Sequence, residues 1–307
     1  MTGERFLRKT SGLIPQRVTL RKMTLSELLS YGQRRLSEAG IEDHKTDASI
    51  LLEYMTGLDR SGLMLGRDKE ISPEEKENFD VLLQRRLSRE PVQYITGEAD
   101  FMGLKFKVSP DVLIPRFDTE FLTEELMREV SDGSAVLDMC TGSGCILLSL
   151  MRYKNGILGT GADISKEALK VAKENESVLE GKTGGHIPVS WIRSDMFQSI
   201  TGEFDYIVSN PPYIRTEVIK TLMPEVRDHE PYKALDGDKD GLKFYRVIAK
   251  DAGKFLKKHG RLFLEIGYDE AEEVIRLLLE NSFTDTEVLK DYSGNDRVVK
   301  ATVKKEQ

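Results

Sequence analysis

The sequence predicts an α/β protein: a doubly wound, mostly parallel sheet of seven strands that ends in an antiparallel hairpin, with a small helical bundle ahead of it. Three observations carry this. From Ser134 onward short apolar runs alternate with helix-spaced ones, the pattern of a parallel sheet covered on both faces. The last two apolar runs, Thr286–Leu289 and Arg297–Val299, are separated only by a short turn and so must pair antiparallel. Before all of this, residues 23–90 keep a helical period.

The elements follow in order. Thr24 with Glu27 three residues later is a capping box, after which Leu25, Leu28, Leu29 and Leu36 line one face as far as Gly40. Ile50, Leu51 and Met55 mark a second helix that stops at Gly57. Ser72-Pro73-Glu74-Glu75 starts another, with Phe79, Leu82, Leu83 and Leu87 on its apolar face. Pro91–Gly97 and Met102–Val108 read as short strands of a hairpin-like connector. Strands then fall at Ala135–Asp138, Gly159–Asp163, Trp191–Asp195, Phe204–Val208 and Arg261–Ile266, with helices between them. This divides the chain into a leader (1–22), a helical domain (23–90), a hairpin linker (91–110) and a sheet domain (111–307). A parallel sheet finished by an antiparallel hairpin is the outline of the class I (Rossmann-like) methyltransferase fold.

Composition narrows the function classes. With 307 residues, 39% hydrophobic and 32% charged, the chain is long enough for about two domains and lies in the globular range. Its apolar runs fall far short of the about 20 residues of a membrane span. Residues 1–22 hold six Lys and Arg against the single acid Glu4, a net +5, so the rest of the chain carries −12 of the total −7. Such a leader fits a disordered extension, a start upstream of a true one at Met23, or an organelle transit peptide; it lacks the apolar core of a secretory signal. An acidic body argues against a broad nucleic-acid surface. Cys140 and Cys145 form neither a disulfide framework nor a zinc knuckle, and the four histidines are scattered. The expectation is a cytoplasmic protein with reduced thiols, no metal, and a monomeric state.

Two segments carry chemistry. Asp138-Met139-Cys140-Thr141-Gly142-Ser143-Gly144 joins the first strand to a helix, where glycines let backbone N–H groups approach a ligand. The dinucleotide fingerprint fails, because its third small residue would be Leu147, and no Lys-Ser/Thr follows for a phosphate loop. Asp163, 19 residues after Gly144, suits a carboxylate accepting from two ribose hydroxyls. Asp195 would take an adenine amine, with Met196 or Phe197 over the ring. Three successive strands ending in Asp point to S-adenosylmethionine, which leaves as S-adenosylhomocysteine; the competing reading is that the acids only cap helices.

The second segment is Ser209-Asn210-Pro211-Pro212-Tyr213 after the fourth strand. The prolines stiffen the loop, the Asn210 side-chain carbonyl and the Asn210 and Pro211 main-chain carbonyls converge as acceptors, and Tyr213 offers a stacking face. Such a site grips both hydrogens of an –NH2 whose lone pair is delocalised and aligns it for in-line displacement, by proximity rather than by a titrating base.

Asn-Pro-Pro-Tyr resembles the motif of amino-group methyltransferases of adenine, guanine and glutamine amides. Val92–Gly97, Phe101-Met102-Gly103, Leu113-Ile114-Pro115-Arg116 with Asp118-Thr119-Glu120, Glu230-Pro231 with Ala234–Gly237 and Asp240-Gly241-Leu242, Leu264–Gly267 and Asp296–Val299 narrow the resemblance to the release-factor glutamine methyltransferases (the PrmC/HemK family), from about Met23 to Val303. The resemblance implies methylation of the glutamine amide in the Gly-Gly-Gln motif of peptide chain release factors. It implies catalytic Asn210, Pro211 and Tyr213, and a cofactor site of Asp138, Cys140, Thr141, Gly142, Ser143, Gly144, Asp163, Asp195, Met196, Phe197 and Asn210. Substrate contacts fall to Asn210, Pro211, Pro212, Tyr213, Arg116 and Glu230. Three positions depart from the family pattern: Cys140 and Asp238 where glycine is usual, and Phe117 where proline is. Asp236-x-Asp238-x-Asp240-Gly241 opens like a calcium loop, but its twelfth position is Val247. The competing functions are a DNA or RNA amino-methyltransferase, which would want basic, aromatic-interleaved surface, and a binding module without turnover, which would not need an intact Asn-Pro-Pro-Tyr.

Overall fold

The computed structural model describes residues 23–183 and 187–305; the leader 1–22 lies outside them. The chain divides into two compact units between Gln84 and Arg85.

The first unit is helical: α1 (Leu25–Glu38), α2 (His44–Thr56), α3 (Arg60–Leu65) and the greater part of α4 (Pro73–Leu87). Both expected capping boxes form. The Thr24 and Glu27 side chains each accept the other's main-chain N–H, at 3.3 and 2.9 Å, and Ser72 and Glu75 do the same at 3.1 and 2.8 Å. Gly57 ends α2 in the left-handed conformation. Leu28, Leu36, Leu51, Leu52, Phe79 and Leu83 fill the core of this unit.

The second unit opens with a correction. Residues Val92–Thr96, read as a strand, form a one-turn helix, α5, closed by Gly97 at φ +76°. Val92, Tyr94 and Ile95 are all buried, so their near-alternation imitated a strand. The hairpin is confined to β1 (Glu98–Phe101) and β2 (Leu104–Lys107). Its turn has positive φ at both Met102 and Gly103, the backbone of a tight two-residue hairpin.

Then come α6 (Phe117–Glu129), β3 (Ala135–Met139), α7 (Cys145–Tyr153), β4 (Leu158–Asp163), α8 (Lys166–Thr183), β5 (Val189–Arg193) and β6 (Phe204–Ser209). Three one-turn helices that periodicity did not reveal follow: α9 (Thr216–Ile219), α10 (Pro224–Arg227) and α11 (Tyr232–Leu235). The chain closes with α12 (Lys243–Phe255), β7 (Leu256–Glu265), α13 (Ala271–Glu280), β8 (Phe283–Lys290) and β9 (Asp296–Val303).

The seven strands lie in the order β5-β4-β3-β6-β7-β9-β8; β9 runs antiparallel to both β7 and β8, and the other pairs are parallel. Alternate residues feed two cores. Leu137, Ile207, Leu262 and Val299 face α12 and α13, whereas Val136, Val208, Phe263 and Val298 face α6 and α7. The chain starts at β3, moves out to β5 and returns to β6 beside β3. The crevice at their carboxyl ends is therefore the switch point where such sheets bind ligands.

Candidate active site

Every loop leaving a parallel strand at this switch point carries a residue singled out by the sequence. The β3–α7 loop is held from below: Thr141 N–H donates to the Ala162 carbonyl at 3.0 Å, and Asn175 of α8 donates to the Ser143 carbonyl at 2.9 Å. Trp191 on β5 packs its ring where a Cβ on Gly161 would sit 2.3 Å from it, and one on Gly144 2.8 Å, so both positions need glycine for this close approach. Gly142, at φ +54°, has no atom within 4 Å of its missing Cβ. Bare backbone thus faces open space at the mouth of the crevice. Cys140 stands at φ +62°, where L-residues with side chains are strained, which is the physical reason glycine is usual there.

Asp163 ends β4 half-buried. Its carboxylate accepts from Gly142 N–H at 3.0 Å and Ser165 N–H at 2.8 Å, one bond per oxygen, which leaves acceptor capacity for hydroxyls of a ligand. Burial raises its pKa. Asp138 differs from the expectation of a strand-ending acid. It lies within β3, is wholly buried, and accepts from the Thr141 hydroxyl at 2.6 Å; its Oδ1 has no donor among the described residues. Burial pushes it up to about 7, against the hydrogen bonds from Thr141 and the Leu147 N–H. Asp138 therefore braces the loop from within. The Cys140 thiol is raised as well, by burial and then by the negative charge of Asp163, and stays protonated.

The third acid also shifts. β5 ends at Arg193, so Asp195 lies in the following loop, exposed, with Gln198 Nε2 donating to it at 3.1 Å. Phe197 is turned into the core, stacked on Phe255 with centroids 5.2 Å apart and planes at 13°. Met196, at φ +47°, is buried in the same core as Phe197, so neither ring-covering candidate is exposed at the crevice. The loops thus offer bare backbone and carboxylates, a donor set that fits a nucleoside carrying positive charge.

The Asn-Pro-Pro-Tyr loop leaves β6, whose last residue, Ser209, donates its hydroxyl to the Met139 carbonyl at 2.7 Å and so ties the two reaction loops together. Pro211 and Pro212 are buried. Asn210 Nδ2 donates to Thr119 Oγ1 at 3.0 Å, which leaves Asn210 Oδ1 as the outward acceptor. Among the described residues no donor is bonded to the Asn210 or Pro211 main-chain carbonyls. The Tyr213 hydroxyl donates to Glu265 Oε1 at 3.2 Å, anchoring the ring by its polar end. Burial, and then the Glu265 charge, raises the Tyr213 pKa far above the usual phenol range.

Arg116 and Glu230, expected as substrate contacts, are paired with each other. Arg116 Nη2 donates to Glu230 Oε1, and the Glu230 side chain is almost wholly buried. The pair links the start of α6 to the loop before α11. A neighbouring carboxylate, Glu225, accepts from Arg86 at 3.0 Å and Arg89 at 3.2 Å. In the calcium-like segment, Asp236 accepts from the Thr216 hydroxyl and Asp240 pairs with Arg246, which holds the Asp240 carboxyl down at about 2.

Sequence reasoning gave no role to Thr119, Glu265, Arg297 or Asn175. The first three stand in segments that carry the family resemblance, and that is their only signal in the sequence.

Comparison with known proteins agrees with this architecture. The PrmC N-terminal domain profile matches residues 27–97 and the methyltransferase small domain profile matches residues 116–225. A release factor glutamine methyltransferase of Agrobacterium fabrum is 39% identical over 282 residues, 90% of this chain and 96% of that one. One from Geobacter sulfurreducens is 39% identical over 277 residues, 90% and 95% of the two chains. A solved structure of a release-factor-specific protein-(glutamine-N5) methyltransferase from Alicyclobacillus acidocaldarius is 32% identical, covers 65% of this chain and all of its own, and superposes with a TM-score of 0.38. On the identity and coverage of the Agrobacterium and Geobacter relatives, the chain belongs to the release factor glutamine methyltransferase family.

Proposed function

We propose that the protein transfers a methyl group from S-adenosylmethionine to the side-chain amide nitrogen of the glutamine in the Gly-Gly-Gln motif of peptide chain release factors. The observation that carries the reading is the Asn210 side chain. Its NH2 end donates one hydrogen to Thr119, which sets the carbonyl, able only to accept, at the other end. Together with the Asn210 and Pro211 main-chain carbonyls it takes both hydrogens of a planar –NH2, turning the nitrogen lone pair toward the methyl donor. The donor supplies an electrophilic methyl on a sulfonium. Asp163 holds its ribose hydroxyls, Asp195 its adenine amine, and the Cys140–Gly144 backbone its amino-acid end; the negative potential of Asp163 and Asp195 favours a cation there. Tyr213 stacks on the flat amide of the substrate.

In the same reading the helical domain (23–90), joined through 91–110 to the transferase domain (111–307), recognises the protein substrate; the exposed Met64 and Leu65 of α3 support a docking role. The protein acts as a cytoplasmic monomer without a stable nucleic-acid partner. Among the described residues no helix is long and apolar enough to cross a membrane.

The test is incubation with radiolabelled S-adenosylmethionine and either purified release factor or a nucleic-acid pool. Label is expected in release factor; label in nucleic acid alone overturns the reading. Asn210→Ala is expected to abolish transfer while donor binding, followed by calorimetry, stays nearly intact. Loss of both together would show that Asn210 serves the donor site instead.

A further inference from the structure

The chain that leaves Tyr213 is laid against a second segment, residues 235–241, which gripping an amide does not by itself require. Ile214 N–H donates to the Leu235 carbonyl at 2.9 Å, Gly237 N–H donates to the Ile214 carbonyl at 2.8 Å, and Thr216 N–H donates to the Asp238 carbonyl at 3.1 Å. Ile214 and Asp236 thereby pair in parallel, a single rung outside the seven-stranded sheet. Asp236 Oδ1 locks this strap from the side, accepting from the Thr216 hydroxyl at 2.6 Å and from Asp238 N–H at 3.1 Å.

The approach is close enough to exclude a side chain. A Cβ on Gly237, which is buried, would lie 2.8 Å from the Tyr213 carbonyl carbon and 2.6 Å from the Gly241 carbonyl oxygen. One on Gly241 would lie 2.6 Å from the Tyr213 carbonyl oxygen. These are main-chain atoms, which cannot swing aside as the end of a side chain can. The two glycines differ in one respect. Gly241 stands at φ +80°, where a side chain is strained by itself, whereas the φ of Gly237 lies outside the left-handed region. At Gly237 a methyl group would act through its contacts alone.

A displacement at Tyr213 travels upstream. The two residues before it, Pro211 and Pro212, are buried and have φ locked by their rings. Few torsions are left to absorb a shift before it reaches the Pro211 and Asn210 carbonyls. At the far end the Ser209 hydroxyl is tied to the Met139 carbonyl. The loop is therefore a stiff span fixed at Ser209 and at the strap.

We propose that Gly237 is a positioning residue for methyl transfer. Lacking a side chain, it lets the Tyr213 main chain lie against it, and so sets where the Tyr213 ring and the Asn210 and Pro211 carbonyls stand beside the substrate amide. The Thr216–Asp236 contact holds that setting. The inference rests on the amide-methyl transfer proposed above. Gly237 acts through Tyr213.

The experiment measures kcat and KM for purified release factor, calorimetric Kd for S-adenosylmethionine, and melting temperature. It uses the full-length wild type, Gly237→Ala, Thr216→Val, Thr216→Ser and Gly202→Ala. Easing contacts of 2.6 and 2.8 Å to an ordinary separation of about 3.5 Å moves the backbone by more than about half an ångström. The kcat of Gly237→Ala is expected to fall roughly 10- to 100-fold, with KM and the donor Kd each within about threefold of wild type. Thr216→Val keeps the shape without the hydroxyl and is expected to lose roughly 3- to 10-fold in kcat, while Thr216→Ser stays within about twofold. Gly202→Ala is the matched control. It stands before β6 at φ +87° with no atom within 4 Å of its Cβ, so it is expected to melt earlier with kcat within about twofold of wild type.

A wild-type kcat in Gly237→Ala, or a loss no greater than that of Gly202→Ala, overturns the inference. A donor Kd that weakens in step with kcat overturns it too, because the strap would then serve the donor site. Should Gly237→Ala fail to fold, the Thr216 pair carries the test, and equal rates in Thr216→Val and Thr216→Ser overturn it. A wild type that is itself inactive on release factor overturns the proposed function instead, an outcome distinct from an active wild type with indifferent variants.

Discussion

Replacing Asp138 with Asn makes the cost of its buried charge measurable. Asp138 is 0% exposed and has its pKa pushed up to about 7 by burial from an ordinary 3.8. The sign follows from proton counting. Between those two values the folded state holds a proton that the unfolded state has lost. Stability therefore falls as pH rises through this window, and the full cost is present above about 7. Three pH units at 1.36 kcal/mol each bound that cost at about 4 kcal/mol. Glu265 and Glu270, also raised to about 7 by burial, have the same sign, but they are common to wild type and variant and cancel in the difference. So does any constant penalty for an unpaired amide NH2 at position 138. The assay is urea unfolding of wild type and Asp138→Asn without ligand at about pH 5 and about pH 8, followed by fluorescence of Trp191, the single tryptophan, which lies in the sheet unit. Relative to wild type, the variant is expected to gain about 3 kcal/mol on going from the lower to the higher pH. A difference that does not change with pH, or one that grows toward acid, would refute the assignment of a buried charge to Asp138.

Two further outcomes follow from backbone strain and buried pairing. At Cys140, φ +62° reverses the usual ranking of alanine over glycine, so Cys140→Gly is expected to be about 1–2 kcal/mol more stable than Cys140→Ala in the same unfolding assay. Glu225, 8% exposed and holding Arg86 and Arg89, is expected to cost about 3–5 kcal/mol when changed to Ala, because the buried Arg86 guanidinium loses this carboxylate. Replacing Arg86 and Glu225 together with methionine is expected to cost much less, a contrast that thermal melts read directly.

What the sequence made legible, and what it hid, divides along a physical line. The β3–α7 and β6 loops were readable because glycine and proline impose local backbone constraints that need no knowledge of distant neighbours: Gly142 and Gly144 do have positive φ, and Pro211 and Pro212 are buried where they stiffen the loop. The parallel strands were readable because sheets covered on both faces need continuous apolar runs. Five residues at Val92–Thr96 could not settle helix against strand, since one turn is too short to show its period and the buried Val92, Tyr94 and Ile95 nearly alternate; only the following Gly97, left-handed at the helix end, tells them apart. The helices α9 to α11 are one turn each and are held by contacts such as Thr216 to Asp236 rather than by any pattern of their own.

The same line runs through the site. Asp163 declares itself by ending a strand after a glycine loop, but Thr119 and Asn210 are 91 residues apart, and Tyr213 and Glu265 are 52. Nothing local in Asp118-Thr119-Glu120 says that its hydroxyl will meet a carboxamide from another strand. The sheet creates that meeting. Because the chain returns from β5 to lay β6 and then β7 beside β3, the loop after β6 opens next to the end of β7, with α6 packed across both. Four of the five acids with raised pKa among the described residues gather there: Asp138 in β3, Asp163 ending β4, Glu265 ending β7 and Glu270 after it, the fifth being Glu230 paired with Arg116. Carboxyls placed this deep destabilise the fold when charged. A sheet that nevertheless collects them at one edge has a reason to do so where a cation is to be held and an amide to be oriented. The stability lost toward alkaline pH in the Asp138 experiment therefore measures the cost of that arrangement at its most buried member.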